Sequence, residues 1–492
     1  MALRTAEQYL AGLRDGRTVY YRGERVPDVT AHPELGRAAR HCALDYAIAD
    51  APAHRELVRC EEDGVPINRF YKLPRSAEDL LRRRELIAET TRAGRALIVL
   101  VREIGTDYLF AAHIVTHAMQ ERLGAPYHER LRAYWRRVAH GDLAMGVAQT
   151  DVKGDRSLGP TAQEHPDYYV RVVDRTADGI VVRGAKAHTT NAIFADEVIV
   201  LPCRTLGPGD EAYAVSFAVP ANAPGLRFIA SPFSGGGDSP FDHPVSSRHR
   251  VADTLTVFDD VFVPWERVFL CGETAYAGAL ALGFVEYHRF TAISYKLPLL
   301  DLMIGCAVLA AEANGIASAA HVRDKLARLI AYRETVRALT VAAAHECTVR
   351  AGLAVPNTVV TNIAKQYFAE NYHAMVQKVQ DIAGGLLVTG PSEADLANPE
   401  TKRDIEHYLG GRRGFGAVNR LKLFNLIRDY FASGFGAYHE LLAIHAEGSL
   451  EAQKITILRG FDTAAARAFA AECAGLDLGG ASGGAPAAGP GA

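Results

Sequence analysis

Two segments of the 492-residue sequence carry residue types suited to an anionic or polar ligand: DVKGDRSLGPT at 151–161 and VRGAKAHTTNA at 182–192. Both are Gly-punctuated, basic and rich in hydroxyls, and a strand-like stretch lies between them. Lys153 and Arg156 can form charge-assisted hydrogen bonds to a pyrophosphate, and Gly154 lets backbone N–H groups approach it. The Thr190 hydroxyl can bond the polar edge of a ring. A solvated hairpin whose charges serve only solubility carries the same letters.

A third segment, EYHRFTAISYKLP at 286–298, offers an acid or base in His288, flanked by Glu286, Tyr287 and Arg289 at the start of a helical run. His113 and His117 stand i, i+4 on one helix face, a spacing that suits a metal pair. No acidic third ligand accompanies them, so they read as polar packing and no metal is expected.

The elements that must position these residues follow from composition and period. Hydrophobic residues make up 49% of the chain and charged residues 23%, with a formal net charge of −3, which fits a globular protein of several domains and not a polybasic nucleic-acid binder. Cysteines fall at 42, 60, 203, 271, 306, 347 and 473, with no CxxC pair, which argues against zinc or a compact iron–sulfur motif and for reduced thiols in a cytoplasm. The N-terminus lacks the apolar core of a signal peptide, and no 18-residue apolar run is present, so no membrane span is expected.

From about 34 to 140 apolar residues recur at three and four, as in AEDLLRRRELIAETTRAG, which predicts amphipathic helices. From 166 to 270 the texture becomes short β-branched runs broken by Gly, Pro and Asp, with TADGI as a hairpin turn in which Asp-Gly supplies positive φ. The helical period then returns to about 465. Four long helices, the last being LKLFNLIRDYFASGFGAYHELLAIHA, predict an up-down bundle. The tail GLDLGGASGGAPAAGPGA reads as disordered. No strand–GxGxxG–helix unit is present, so a bound dinucleotide would lie between domains.

This three-part order, closed by FDDVFVPWERV before the bundle, resembles the acyl-CoA dehydrogenase architecture. The strings TDVKGDRS, VRGAKAHTTNA, YAVSFAVP and GGLLVTGPSEADLANPE resemble one branch of it over residues 5–460: the 4-hydroxyphenylacetate 3-monooxygenase and 4-hydroxybutyryl-CoA dehydratase family. The resemblance implies an α+β fold with an N-terminal helical domain at 1–145 and a middle antiparallel, barrel-like β domain at 146–275 that contacts a flavin. A four-helix bundle at 276–465 and a disordered tail at 466–492 complete it.

Residue by residue, the resemblance places the flavin against Val147, Ala148, Gln149, Lys153, Gly154, Asp155, Arg156 and Thr190, and against Glu447, Gly448, Ser449 and Leu450. Gly384 and Gly385 match a pair that lets a neighbouring subunit's backbone approach the cofactor, which implies a homo-oligomer, dimer or tetramer. A C-cap glycine explains Gly384 equally well, and a helix break capped by Ser449 explains 447–450.

The substrate side departs from both branches. The hydroxylases bind a phenol with an Arg-x-x-x-Tyr pair and a His; here Ile104 and Tyr108 hold the pair's positions and Val147 lies near the third. Tyr108 survives, with Arg102 or His113 as substitutes. The dehydratases hold an iron–sulfur cluster with three Cys and one His. His288 and Lys296 match, yet Tyr295 replaces a Cys and TDYLFAAHIVTHA contains none, so no cluster is expected. The expected pocket gathers Tyr108, His113, His117, His288, Tyr295 and Lys296, with Ile104 and Cys203 also toward substrate. His288, Tyr108, Lys296 and Tyr295 are the expected catalytic residues.

The activity implied is a two-component monooxygenase that takes FAD as FADH2 from a separate flavin reductase. It would hydroxylate an aromatic or electron-rich small molecule through a C4a-hydroperoxyflavin. The alternative is a cluster-free dehydratase or isomerase of an acyl thioester, and a third reading is a non-catalytic flavin-fold scaffold.

Overall fold

The computed structural model describes residues 3–476. Three helices dominate the N-terminal region: α1 (Ala77–Ala93), α2 (Glu103–Leu123) and α3 (Tyr127–Gly141). Ser76 caps α1 by accepting the Asp79 amide, while Gly124 and Asp142 end α2 and α3 in the left-handed region.

The middle domain is built on two sheets. One has the order β2-β1-β8-β9-β5-β4, made of β1 (Thr18–Tyr21), β2 (Glu24–Val26), β4 (Arg171–Arg175), β5 (Gly179–Lys186), β8 (Leu226–Ala230) and β9 (Thr254–Pro264). The other runs β10-β7-β6-β3, from β3 (Met145–Ala148), β6 (Glu197–Val200), β7 (Val215–Pro220) and β10 (Val268–Cys271). Two details differ from the antiparallel expectation: β1 runs parallel to β8 and β3 parallel to β6. The hairpin at 18–26 therefore completes a sheet whose other strands lie far along the chain, which the helical texture of the N-terminal region conceals.

The β4–β5 hairpin forms at TADGI, but by different chemistry from that expected. Neither Asp178 nor Gly179 has positive φ. The turn is held by Thr176, whose amide donates to the Gly179 carbonyl at 2.8 Å and whose hydroxyl oxygen accepts the Gly179 amide at 3.1 Å. Gly179 is required for another reason: a Cβ there would lie 2.2 Å from the Val263 carbonyl oxygen on β9.

The C-terminal bundle packs α4 (Thr274–Ala313), α5 (Ala320–His345), α6 (Thr358–Ala383) and α7 (Ala417–Phe431) around Met303, Leu329, Val336, Phe368 and Ile427. Over an 18-residue window α4 reaches a mean hydropathy of 1.6, enough by length and composition to cross a membrane, yet 67% of that window is buried inside the protein. It is the central strut of the molecule, with its first half packed on the N-terminal and sheet core.

The expected last long helix is two. Ser433 caps α8 (Gly434–His445) by accepting the Gly436 amide, and a Cβ at Gly436 would meet the Tyr430 carbonyl at 2.5 Å. Ser449 caps α9 (Leu450–Gly460), as expected. Residues 464–474, most of them within the expected disordered tail, form α10 (Ala464–Ala474). The tail beyond 476 lies outside the described residues.

Because the oxygen facing Gly179 belongs to the backbone of a paired strand, it cannot give way. Gly179→Ala is expected to lower stability by about 1–3 kcal/mol, read as a lower urea midpoint at unchanged m.

Candidate functional site

Helix α2 turns two neighbouring side chains in different directions, because successive residues lie about 100° apart around a helix axis. Tyr108 points toward the small sheet, where its phenol meets the Ser216 hydroxyl at 2.6 Å. Asp107 points toward α4. Its Oδ1 accepts from Arg83 Nη2 at 2.7 Å and from the Thr291 hydroxyl at 2.9 Å, and its Oδ2 lies 3.0 Å from His288 Nδ1. Arg83, on α1, is itself fixed by the Phe70 carbonyl and the Thr106 hydroxyl. The His288 ring stacks on Phe284 with centroids 5.1 Å apart.

Two turns further along α4 from His288 lies a second buried polar cluster. Glu447, its side chain 1% exposed, receives the Tyr295 phenol and lies 3.3 Å from Lys296 Nζ and 3.2 Å from Lys365 Nζ of α6. Lys365 also donates to the Ala443 and Ile444 carbonyls at the end of α8, the expected place for a cation. Burial alone would push the Glu447 carboxyl up, but Lys296, Lys365 and His288 overcome it and hold the group down at about 2. Burial lowers Lys296 to about 7, with Glu447 opposing and Lys365 reinforcing the shift. Burial also lowers Arg289 to about 10.

The backbone at this point is strained. Glu447 has φ 65 and Gly448 φ 101, and Arg289 Nε pins the Glu447 carbonyl at 3.0 Å. A left-handed non-glycine residue persists only where its surroundings over-determine it.

On the sheet side, the two basic segments lie against each other. Asp151 bridges Lys186, the Ala187 amide donates to the Thr150 carbonyl at 2.8 Å, and the buried Asp151–Lys186 ion pair closes at 2.8 Å. Lys153 (φ 75) and Gly154 (φ 54) are consecutive left-handed residues, and a Cβ at Gly154 would lie 2.4 Å from the Tyr168 ring. Asp155 holds the turn through Ser157. Among the described residues Lys153 and Arg156 have no ion-pair partner, and the amides of Gly154 and Arg156 donate to no protein acceptor. The amide between them, of Asp155, donates to Gln163 Oε1 at 3.0 Å, and two free amides beside free cations suit an anion.

The expected site residues thus separate. Tyr295 and Lys296 come together at Glu447, while His288, two turns earlier on α4, is held by Asp107. Tyr108 does not join them: it is fully buried, its hydroxyl is committed to Ser216, and Ile104 is core beside it. Arg102 cannot replace a phenol-binding arginine, because it is spent on Asp142 at 2.9 Å and on the Tyr46 ring. His113 lines a different cavity of about 140 Å³ with Arg75, Arg132, Trp135 and Arg136, and packs with His117 around His128, so neither histidine meets His288.

Cys203 sits near Asp151 and Lys186, its thiol pushed up by burial and by Asp151. Val147 and Ala148 are buried in β3, while Gln149 is partly exposed at its end. Thr190 donates to Asp253, which also receives the Tyr438 phenol. Gly384 and Gly385 are exposed, with open space around them. Sequence reasoning missed Asp107, Arg83, Thr291 and Lys365; only the helical step from Tyr108 could have indicated Asp107.

A helical, sheet and bundle architecture that carries both an anion-ready turn and a buried acid–base cluster is the architecture of a cofactor-dependent enzyme. The chain belongs to the 4-hydroxyphenylacetate 3-hydroxylase family, whose N-terminal model matches residues 5–270 and whose C-terminal model matches residues 277–475. It is 36% identical over 445 residues to a 4-hydroxyphenylacetate 3-monooxygenase oxygenase component of Thermus thermophilus, covering 89% of this chain and 90% of that one. It is 32% identical to a 4-hydroxybutyryl-CoA dehydratase/vinylacetyl-CoA-Delta-isomerase of Clostridium aminobutyricum, covering 96% and 100%. Among solved structures, an oxygen-tolerant 4-hydroxybutyryl-CoA dehydratase from N. maritimus superposes with a TM-score of 0.91 at 30% identity, covering 97% of this chain and 96% of that one. The oxygenase component of a 4-hydroxyphenylacetate 3-monooxygenase complexed with FAD superposes at 0.89 and 32%, covering 96% and 99%.

The two shifted groups act in the same direction but in separate pH windows. Glu447, depressed from its ordinary 4.5 to about 2, adds stability that is present above 4.5 and lost as pH falls toward 2. Lys296 is depressed from its ordinary 10.5 to about 7, so between these values the unfolded chain binds the extra proton and stability rises with pH. Wild type is therefore expected to gain stability relative to Lys296→Met as pH rises from 7 toward 10.5, measured by urea denaturation of both proteins at each pH.

Proposed function

We propose that the protein is the oxygenase component of a two-component monooxygenase that uses FAD, bound as FADH2, to hydroxylate an aromatic or electron-rich small molecule. One observation carries this reading: the 153–156 turn presents free cations and free amides, in a chain that matches FAD-complexed oxygenases over nearly its whole length. The flavin fits this cradle. Lys153, Arg156 and the amides of Gly154 and Arg156 would hold the diphosphate, and Asp155 keeps the turn closed through Ser157. Gln149, Thr190 and the backbone of Val147 and Ala148 would bound the ring, with Gly448, Ser449 and Leu450 facing it from the bundle.

Reduced flavin, when bound, supplies the electrons that activate dioxygen. The chain's own tasks are to exclude water and to move a proton. His288 is suited to the second, since its Nε2 has no partner among the described residues. Tyr108, bonded to Ser216, is not. A separate flavin reductase would deliver FADH2. Exposed Gly384 and Gly385, with Val388 71% and Tyr408 75% exposed nearby, support a homo-oligomer, dimer or tetramer. Seven free cysteines support a cytoplasmic setting.

A second reading, a dehydratase or isomerase of an acyl thioester, draws on the full-length match to the Clostridium aminobutyricum protein and on the buried Lys296 ammonium near neutrality beside Glu447. An iron–sulfur cluster does not fit the residues present, because His288 is bonded to Asp107, which Thr291 shares, and Tyr295 stands at the position of a cluster cysteine, its phenol bonded to Glu447. Iron and sulfide analysis of anaerobically purified protein separates the readings, since stoichiometric iron would reverse their order.

The leading reading is tested by supplying FADH2, labelled dioxygen and a panel of phenols, with products read by mass spectrometry. Labelled product is expected, and its absence across the panel would count against hydroxylation. Arg156→Ala is expected to weaken FADH2 binding about tenfold to a hundredfold, with Arg156→Lys recovering only part, because a point charge lacks the planar fork. Unchanged affinity with a slight loss of stability would make Arg156 a surface residue only.

A further inference from the structure

We propose that Asp107 is a positioning residue that fixes His288 in one tautomer, making Nε2 the atom that carries the proton; this role rests on the monooxygenase reading above. An ionised carboxylate can only accept hydrogen bonds, so the 3.0 Å contact requires His288 Nδ1 to be the donor. The neutral ring then has its lone pair at Nε2, which no described protein atom occupies. A proton taken up at Nε2 makes the imidazolium and is released from the same atom.

The mount for this ring is rigid. Both oxygens of Asp107 are committed, Oδ1 to Arg83 and Thr291 and Oδ2 to His288. Thr291 stands three residues after His288 on α4 and so shares its face. Arg83 is held in turn by the carbonyls of Phe70 and Glu103. Phe284 stacks at 13° to the imidazole and blocks its rotation. The charged groups facing His288 are Asp107 from α2, with Arg83 of α1 behind it, and Glu447 from the segment after α8.

Asp107→Asn separates positioning from simple charge pairing. Arg83 and Thr291 donate toward one side, so the new amide must turn its oxygen to them and its NH2 to His288. Nδ1 then has to accept, and the ring is forced into the Nε2–H tautomer. Changing the acid of such a dyad to its amide can preserve geometry while abolishing the useful tautomer.

The experiment uses full-length protein labelled with ¹⁵N-histidine, in multiple-bond ¹H–¹⁵N correlation spectra at neutral pH, with His288→Asn identifying the His288 signals. Nδ1–H in wild type and Nε2–H in Asp107→Asn are expected, with FADH2 affinity within about twofold and the single-turnover hydroxylation rate down about a hundredfold or more. The same tautomer in both proteins, or a rate loss matched by lost flavin affinity, would overturn the proposal.

If Asp107→Asn does not fold, Thr291→Val removes one bond to the same carboxylate. It should lower the rate severalfold at unchanged flavin affinity, and an unchanged rate would overturn the proposal. The tautomer comparison needs no substrate. It therefore decides the geometry even if no phenol is hydroxylated, an outcome that would instead sink the monooxygenase reading.

Discussion

One buried carboxylate ties two helices of the bundle to the short segment that joins α8 to α9. Glu447 lies between Lys296 of α4 and Lys365 of α6, and among the described residues no other acid shares their ion pairs. Removing charges from water costs several kcal/mol per ion, recovered only where geometry and extra hydrogen bonds are good. Here Tyr295 and the α8 carbonyls supply those bonds. The carboxylate must therefore sit where it does, even though its own backbone is driven to φ 65. Gly448 and the Ser449 cap of α9 follow directly on the residue that this ion pair fixes.

The same logic explains what could be read in the sequence. His288, Tyr295 and Lys296 lie within nine residues on one helix, so a short string displays them together. Asp107 lies 181 residues from His288 and beside Tyr108, which looked the more chemical of the two. Period identifies α2 as a helix but does not say which stripe faces which neighbour. Arg102 shows the converse: a conspicuous cation near a candidate site that the core consumes, against Asp142 and Tyr46.

The middle domain was legible as strands and hairpins, and TADGI as a turn. Its mechanism was not, since Thr176 performs the closure and Gly179 is glycine because of β9, 84 residues away. Likewise the break between α7 and α8 follows from a serine cap and a glycine pressed on a carbonyl, signals weaker than the apolar period that runs through them. Long-range steric demands leave only a single letter in the sequence.

The hairpin at 18–26 has a consequence for how the chain is made. Thr18 pairs with Arg227, and a parallel pairing cannot close through a local turn. On a ribosome β1 emerges first and must wait for more than two hundred residues before its partner exists. Until then it carries an unpaired edge, the kind of surface that invites wrong pairing. Its partner strand's other neighbour, β9, appears later still, so the two outer hairpins, β1–β2 and β4–β5, are both made before the central pair β8–β9 that joins them into one sheet.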